Sequence, residues 1–496
     1  MAAKKAYLAI DMGASSGRHV IGTFDGKKLN LEEVYRFENG AVELGGSLFW
    51  DLPGLWSHVK KGMRAAAVKM NGEVTSVGVD TWGVDFALLG RDDTLLGNPY
   101  QYRDARTDGM MDYAFSLVPR EEIFRYTGLQ FLQFNSLFQL LAMKKCRSPI
   151  LEQAESFLMV PDIFHWLMTG VKVNEFTEAT TSQMFDPTND AWAIDLLRKL
   201  GLPTDILQTL AMPGTDLGGL RASVIRETGL KTTKVVLPAT HDTGSAVAAV
   251  PAKSVSGKAP NWAYVSLGTW ALMGVESPVP VVTPTVSRLN FTNEGGVGKT
   301  YRILKNICGL WLVQECRRVW NLDGRNRSWE DLNQMTRQAK PLRAFINPDA
   351  RDFLGPTDMP EAIRECCRRT GQVVPETEGE VIRCALDSIA MKFRQVLEMC
   401  EQITGERIET IHIVGGGIQN RILCQAAADA TGRLVVTGPI EGTGIGNVVV
   451  QAIASGEFRD LAEAREVIRD SFPGEEYAPQ NVGEWNDAYA RFLRVA

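Results

Sequence analysis

Two glycine-broken strand turns, one in each half of the chain, constrain its fold more than any other feature. Near the start, Tyr7-Leu8-Ala9-Ile10 runs into Asp11-Met12-Gly13-Ala14-Ser15-Ser16-Gly17-Arg18 and back into His19-Val20-Ile21-Gly22-Thr23-Phe24. Past the middle, Ala263-Tyr264-Val265-Ser266-Leu267 runs into Gly268-Thr269 and back into Trp270-Ala271-Leu272-Met273-Gly274. Each pattern predicts a β-hairpin with a small, polar tip. Small tip residues let backbone N–H groups approach an anion, and Ser or Thr hydroxyls add donors. Two such hairpins opening two halves of one chain point to a duplicated α/β domain with a phosphate-bearing ligand held between the copies.

A chain of 496 residues is expected to split into two or three domains. The balance of 53 basic against 59 acidic residues gives a net charge of −6, with no basic tract of five or more. Nucleic acid and anionic membrane are therefore poor partners. The eight cysteines form no CxxC pair and share no metal-ligand spacing with the five histidines, which favours reduced, mostly buried thiols in a cytoplasmic protein. Asp11 cuts the first apolar run too early for a signal peptide, and no 18-residue apolar stretch offers a membrane span.

The first quarter alternates strands and helices, with Val74–Asp80 and Phe86–Gly90 as short strands. From about Arg120 to Leu210 the apolar spacing is helical, as in Leu137, Leu140 and Leu141. A strand at Lys234–Ala239 precedes Thr240-His241-Asp242-Thr243 and a small-residue helix from Gly244 to Val250. The composition shift over Pro251–Asn261 reads as a linker, dividing the chain into domains at 1–250 and 262–496. In the second half, a strand at Thr410–Val414 meets Gly415-Gly416-Gly417 and a helix, and Leu434–Thr437 is a final strand.

Gly295-Gly296-Val297-Gly298-Lys299-Thr300 ends like a P-loop, but Asn293 occupies the position of the first glycine. The alternation after it predicts a strand rather than the required helix, so a hairpin turn is expected. Gly415-Gly416-Gly417 lacks the GxGxxG spacing because position 420 is Asn420, which argues against a dinucleotide-binding dehydrogenase. A strand-to-helix glycine turn still allows a flat ligand to lie on the backbone. An acidic residue ending the first strand, Asp11, suits Mg²⁺ beside polyphosphate. Asp242 suits proton abstraction from a hydroxyl, although an aspartate at a helix start is more often a cap. Asp80-Thr81-Trp82-Gly83-Val84-Asp85-Phe86 mixes an apolar face with hydroxyl-bonding groups, as a sugar site requires; the alternative is a core tryptophan with a solvent-facing aspartate.

At these residues the chain resembles the glycerol/xylulose/ribulose kinase family of carbohydrate kinases. The matching stretches are Asp11–Arg18, Asp80–Phe86, His241-Asp242-Thr243 and Ser266–Trp270. They continue through Asn293-Glu294-Gly295-Gly296, Lys305–Trp311 and His412–Gly417, in order over nearly the whole chain. The resemblance implies two actin-like (ribonuclease H-like) domains with an interdomain cleft. It implies that Ala14, Ser15, Ser16, Gly17 and Arg18 form a first ATP phosphate loop and that Thr269 belongs to a second. Gln314 and Gly416 match nucleotide contacts; Gly83, His241, Asp242, Thr243 and Asn306 match ketose contacts. Asp242 matches the catalytic base and Asp11 the residue that positions Mg²⁺.

Two departures from the wider family, Thr240-His241 before the aspartate and Tyr102-Arg103-Asp104-Ala105-Arg106 in place of Trp-x-Asp-x-Arg, look like the branch that takes L-rhamnulose. The implied reaction is phosphorylation of L-rhamnulose at O1 by MgATP, with L-fuculose or L-xylulose as the runner-up acceptor. A polymerising actin-like ATPase, with no small acceptor, is the rival class. A monomer or small homo-oligomer is expected.

Overall fold

The computed structural model describes residues 5–253 and 261–495. They form two compact units. The first comprises Met1–Ala249, Glu276–Ile303 and Gly442–Ser471; the second comprises Val250–Val275, Leu304–Glu441 and Phe472–Ala496. These units interleave along the chain, and residues 254–260 of the stretch read as a linker lie outside the described residues.

In the first unit, β1 (Ala6–Met12), β2 (Ser16–Phe24), β3 (Leu29–Glu38), β4 (Ser76–Thr81), β5 (Asp216–Gly219) and β6 (Lys234–Val236) form one sheet in the order β5-β6-β4-β1-β2-β3. The sheet is mixed. β1 runs antiparallel to β2 and parallel to β4, β4 runs parallel to β6, and β5 is antiparallel to β6. β1 and β4 are buried along their whole length, as central strands covered on both faces must be.

One cover is the helix Leu52–Lys69. Asp51 caps it by accepting from the Gly54 N–H at 3.0 Å, and Leu55, Val59, Met63 and Ala66 line its buried face at helical spacing. The helix Gly442–Ala454 lies against β1 and β4, which explains why so late a segment belongs to this unit. Its Gln451 donates from Nε2 to the Leu8 carbonyl at 3.0 Å and accepts from the Ser76 hydroxyl at 2.6 Å. A Cβ at Gly446 would lie 1.8 Å from the Ser245 carbonyl oxygen, so only glycine allows this approach to the Asp242–Ala248 helix.

The second unit contains β7 (Trp262–Leu267), most of β8 (Trp270–Ser277) and of β9 (Tyr301–Cys308), β10 (Thr410–Val414), β11 (Leu434–Thr437) and β12 (Glu476–Tyr477). Six consecutive strands of its sheet run β9-β8-β7-β10-β11-β12. β7 is antiparallel to β8 and parallel to β10, β10 is parallel to β11, and β12 is antiparallel to β11. This repeats the first sheet, differing in the chain order of the last two strands. A long helix, Glu378–Thr404, starts in a capping box of Thr377 and Glu380, ends at left-handed Gly405, and packs on the helix Arg421–Thr431.

The residues around Val297–Lys299 form a turn between the strand Thr292–Gly295 and β9, with the Gly296 N–H donating to the Thr300 carbonyl at 2.7 Å. This is the expected hairpin rather than a P-loop. All eight cysteines are free thiols, seven of them buried and Cys146 exposed. Among the described residues no helix is long and apolar enough to cross a membrane.

Candidate active site

The β1–β2 hairpin is tighter than the sequence implied. Asp11 and Met12 belong to β1 and Ser16 to Arg18 belong to β2, leaving Gly13, Ala14 and Ser15 as the tip. Asp11 is paired across the hairpin with Arg18, and an ion pair of 3.1 Å between its carboxylate and the Arg18 Nε fastens this part of the ladder. The Gly13 N–H donates to the Ser16 carbonyl at 2.9 Å, while Asn39 donates from its amide and backbone to the carbonyls of Gly13 and Ser15. Gly17 has a packing role: a Cβ there would lie 2.2 Å from the Phe37 ring, which stacks on His58. Its glycine identity is explained by Phe37 without any ligand.

Parallel pairing sets Asp80 on β4 beside Asp11. Asp80 is fully buried and accepts from Asn447 Nδ2 at 2.6 Å. Burial, and next to it the charge of Asp11, push its carboxyl well above the usual carboxylate range. One residue further, the Thr81 N–H donates to the Thr240 carbonyl at 2.9 Å and Thr81 bridges to His241, which brings the start of the Asp242–Ala248 helix to the same sheet end. Buried Glu175 fixes that junction by accepting from the Thr240 hydroxyl at 2.6 Å and its N–H at 3.2 Å. Glu175 also caps the short helix Phe176–Ala179, so the polar stretch from Asn174 to Ser182 is a buried, capped helix start.

Asp85 neither faces solvent nor offers itself to a ligand. It is fully buried and accepts from the indoles of Trp50 at 2.6 Å and Trp82 at 3.0 Å, from the Gln139 amide at 2.8 Å and from the Tyr102 N–H at 3.1 Å. Burial pushes its carboxyl up to about 6 despite these donors.

Asp242 is the accessible acid of this end, with its side chain 32% exposed against 9% for His241. Its Oδ1 accepts from the Thr243 hydroxyl at 3.0 Å and lies 3.6 Å from His241 Nε2. On the other edge of the imidazole, Nδ1 is 3.0 Å from Arg302 Nη2 and 3.3 Å from Glu294 Oε2. Gly83 lies against the same ring, since a Cβ there would be 3.3 Å from His241 Nε2.

In the second unit, the β7–β8 tip is Gly268-Thr269, as the sequence predicts. The carbonyls of Gly268 and Thr269 accept from the N–H groups of Leu310 and Trp311, and the Thr269 hydroxyl donates to Gln314 Oε1 at 3.1 Å. The close approach of this turn to the start of the Trp311–Leu322 helix depends on Gly309, where a Cβ would lie 2.6 Å from the Trp270 carbonyl carbon. After β10, Gly415 takes φ +93° and Gly417 presses on Leu267, its Cβ position only 2.3 Å from the Leu267 side chain. A Cβ at Gly416 meets nothing within 4 Å. Asn306 lies on β9 beside Lys305, whose ammonium is pushed down to about 8 by burial, partly offset by Asp349.

The first unit thus holds Asp11, the hairpin residues Ala14 to Arg18, Gly83, His241, Asp242 and Thr243. The second gathers Thr269 with Gln314, and carries Gly416 on the turn after β10 and Asn306 on β9. Sequence reasoning missed the support: Glu175, Asn447, Arg302 and the burial of Asp80. For Arg302 a signal existed, a charged residue amid the buried run Tyr301 to Leu304.

Two mixed α/β units with one arrangement of strand directions, each with a small-tipped hairpin, and an acidic strand end in one of them define a class. The chain matches the N-terminal domain of the FGGY family of carbohydrate kinases over residues 6–249 and the C-terminal domain of that family over residues 263–455. It belongs to the FGGY family, and it is a carbohydrate kinase with two domains of actin-like architecture.

Among individual proteins, it is similar to a rhamnulokinase of Bacteroides thetaiotaomicron, at 44% identity over 490 residues and 99% of each chain. A rhamnulokinase of Halalkalibacterium halodurans is 42% identical over 95% of this chain and 98% of the relative. In fold it is similar to a gluconate kinase from Lactobacillus acidophilus, with a TM-score of 0.82, 17% identity and 99% and 98% coverage of the two chains. A xylulose kinase from Rhodospirillum rubrum gives a TM-score of 0.79 at 14% identity, covering 99% and 98%.

Proposed function

We propose that this chain transfers the γ-phosphoryl group of ATP to the 1-hydroxyl of L-rhamnulose, giving L-rhamnulose 1-phosphate and ADP. The observation that carries the sugar is similarity to rhamnulokinases along essentially the whole chain, 44% identity over 99% of both proteins in one case. The O1–phosphorus bond forms as the bond from the γ-phosphorus to the β,γ-bridging oxygen breaks, and the hydroxyl proton passes to the Asp242 carboxylate. Asp242 suits this role because it is the accessible acid at its sheet end, oriented by Thr243 and flanked by His241. Such reactions ask a protein for alignment and charge stabilisation more than covalent work.

Gly83, His241, Thr243 and Asn306 are the proposed ketose contacts. Ala14 to Arg18, Thr269, Gln314 and Gly416 are the proposed nucleotide contacts. The support for Gly416 is physical: its neighbours Gly415 and Gly417 are glycine for packing, whereas the space beside Gly416 is open to a ligand. Among the described residues no cluster of three or more His, Cys, Asp or Glu makes a metal site alone. That fits Mg²⁺, which usually takes one or two carboxylates, waters and the nucleotide phosphates. Asp11 would hold it, and the ion would supply neutralisation of phosphate charge.

ADP release with MgATP and a panel of L-rhamnulose, L-fuculose, L-xylulose, D-xylulose and glycerol tests the proposal. A preference for L-rhamnulose of at least roughly tenfold in kcat/KM is expected, a ratio that hydrogen-bonded hydroxyl recognition readily exceeds. Preference for another ketose would overturn the sugar, and absence of any acceptor-dependent release would overturn the reaction.

A further inference from the structure

Behind His241, on the side away from Asp242, the first unit buries a charged pair that the phosphoryl transfer does not itself require. Arg302 is fully buried on β9 and Glu294 is 5% exposed on the strand Thr292–Gly295. Arg302 Nη2 lies 3.3 Å from Glu294 Oε2 and 3.0 Å from His241 Nδ1, and its Nε donates to the Gly295 carbonyl at 2.8 Å. The strand that carries Glu294 is itself pinned. The Gly295 N–H donates to the Thr180 hydroxyl at 2.7 Å and the Asn293 amide donates to the Gly128 carbonyl at 2.8 Å. Burying two charges costs several kcal/mol per ion before their attraction offsets it, so such a pair is weak evidence for stability.

A guanidinium has donors only. At 3.0 Å from Arg302 Nη2, His241 Nδ1 must therefore be the acceptor, and the proton of the neutral ring resides on Nε2. Nε2 is the atom that faces Asp242 Oδ1 at 3.6 Å. The opposite tautomer would send its proton to Glu294, 3.3 Å away, and turn a bare lone pair toward the Asp242 carboxylate. We propose that Glu294 and Arg302 are positioning residues that fix His241 as its Nε2–H tautomer, so that this N–H is presented to the Asp242 carboxylate. Glu294 orients and neutralises Arg302, and Arg302 donates to the imidazole. The same logic governs other buried partners that set a histidine's tautomer for catalysis. The inference rests on Asp242 being the base, as proposed above.

The test uses the full chain. Nitrogen-15 NMR of its five histidines, with His241 assigned by its loss in His241→Asn, reads the tautomer without any substrate. The expected spectrum has a bare Nδ1 and a protonated Nε2 in the wild type, and loss of that pattern in Arg302→Met. Because Arg302→Met alone leaves a buried carboxylate unpaired, the double variant Glu294→Gln/Arg302→Met removes both charges and carries the kinetics. Its kcat is expected to fall roughly tenfold to a hundredfold, the scale of outer partners that orient functional histidines, with the KM for ATP unchanged. Arg302→Lys, which keeps a donor, should recover part of kcat. A protonated Nδ1 in the wild type would overturn the proposal, as would an unchanged kcat in the double variant. Neither result touches ketose-dependent ADP release by the wild type, which tests the reaction separately.

Discussion

The same lattice point occurs in both sheets, where the first strand of the hairpin meets its antiparallel partner on one side and a parallel strand on the other. In the first unit the residues there are Asp11, Arg18 and Asp80. In the second they are Ser266, Leu272 and Val414. One backbone arrangement therefore carries two chemistries. The first unit gathers charge at its strand ends, and supports it with buried carboxylates and amides from Glu175 to Asn447. The second gathers glycines and small hydroxyls, leaving backbone exposed where a flat or phosphate-bearing ligand can approach. A duplicated fold fixes where a site can be, and the side chains at its strand ends decide what the site does.

The largest expected effect breaks the acidic half. Asp242→Asn should lower kcat by about 10² to 10⁴-fold, the usual contribution of a positioned general base, with ketose KM nearly unchanged. Steady-state ADP release checks this; a loss under tenfold would remove Asp242 from that role.

A packing test sharpens the glycine half. Gly417→Ala should destabilise the fold by roughly 1–3 kcal/mol through overpacking against Leu267, read as a lower urea midpoint with unchanged slope.

His19 lies in the first unit, fully buried, with its pKa pushed down to about 3 by burial. The unfolded chain protonates this ring near 6.5 while the folded chain does not, so the stability it contributes is present above that pH and lost as pH falls toward 3. His19→Phe should flatten the loss of stability between pH 6.5 and 5 by up to about 1.4 kcal/mol per pH unit. Urea titrations at both pH values check it, and an unaltered slope would mean that the ring is not neutral in the fold.

Much of this was legible in the sequence. Thr410–Val414 and Leu434–Thr437 stand where the apolar runs put them, because a strand buried between neighbours reads as a continuous hydrophobic run. Both hairpin tips were visible through their glycines. What escaped was tertiary. The helix Gly442–Ala454 is mostly small and apolar, and nothing local says that its polar Asn447 and Gln451 turn toward Asp80 and β1. The helical spacing between 120 and 210 concealed the short strand Ser156–Met159, which pairs with Phe86–Leu89 far earlier in the chain. Gly17 looked like a phosphate-loop glycine, and its packing reason is the ring of its cross-strand partner on β3, Phe37. Asp85 looked available because three of its four donors, on Trp50, Tyr102 and Gln139, come from other stretches.

The division of labour between the two units is tested most directly by nucleotide affinity. Calorimetric titration of MgADP into the wild type, Asp242→Asn and Gly416→Val would compare loss of the acid with filling of the open space beside β10. The account predicts that Asp242→Asn binds nucleotide like the wild type while Gly416→Val binds at least roughly tenfold more weakly, a penalty of about 1.4 kcal/mol. Undiminished affinity in Gly416→Val, or a matching loss in Asp242→Asn, would contradict it.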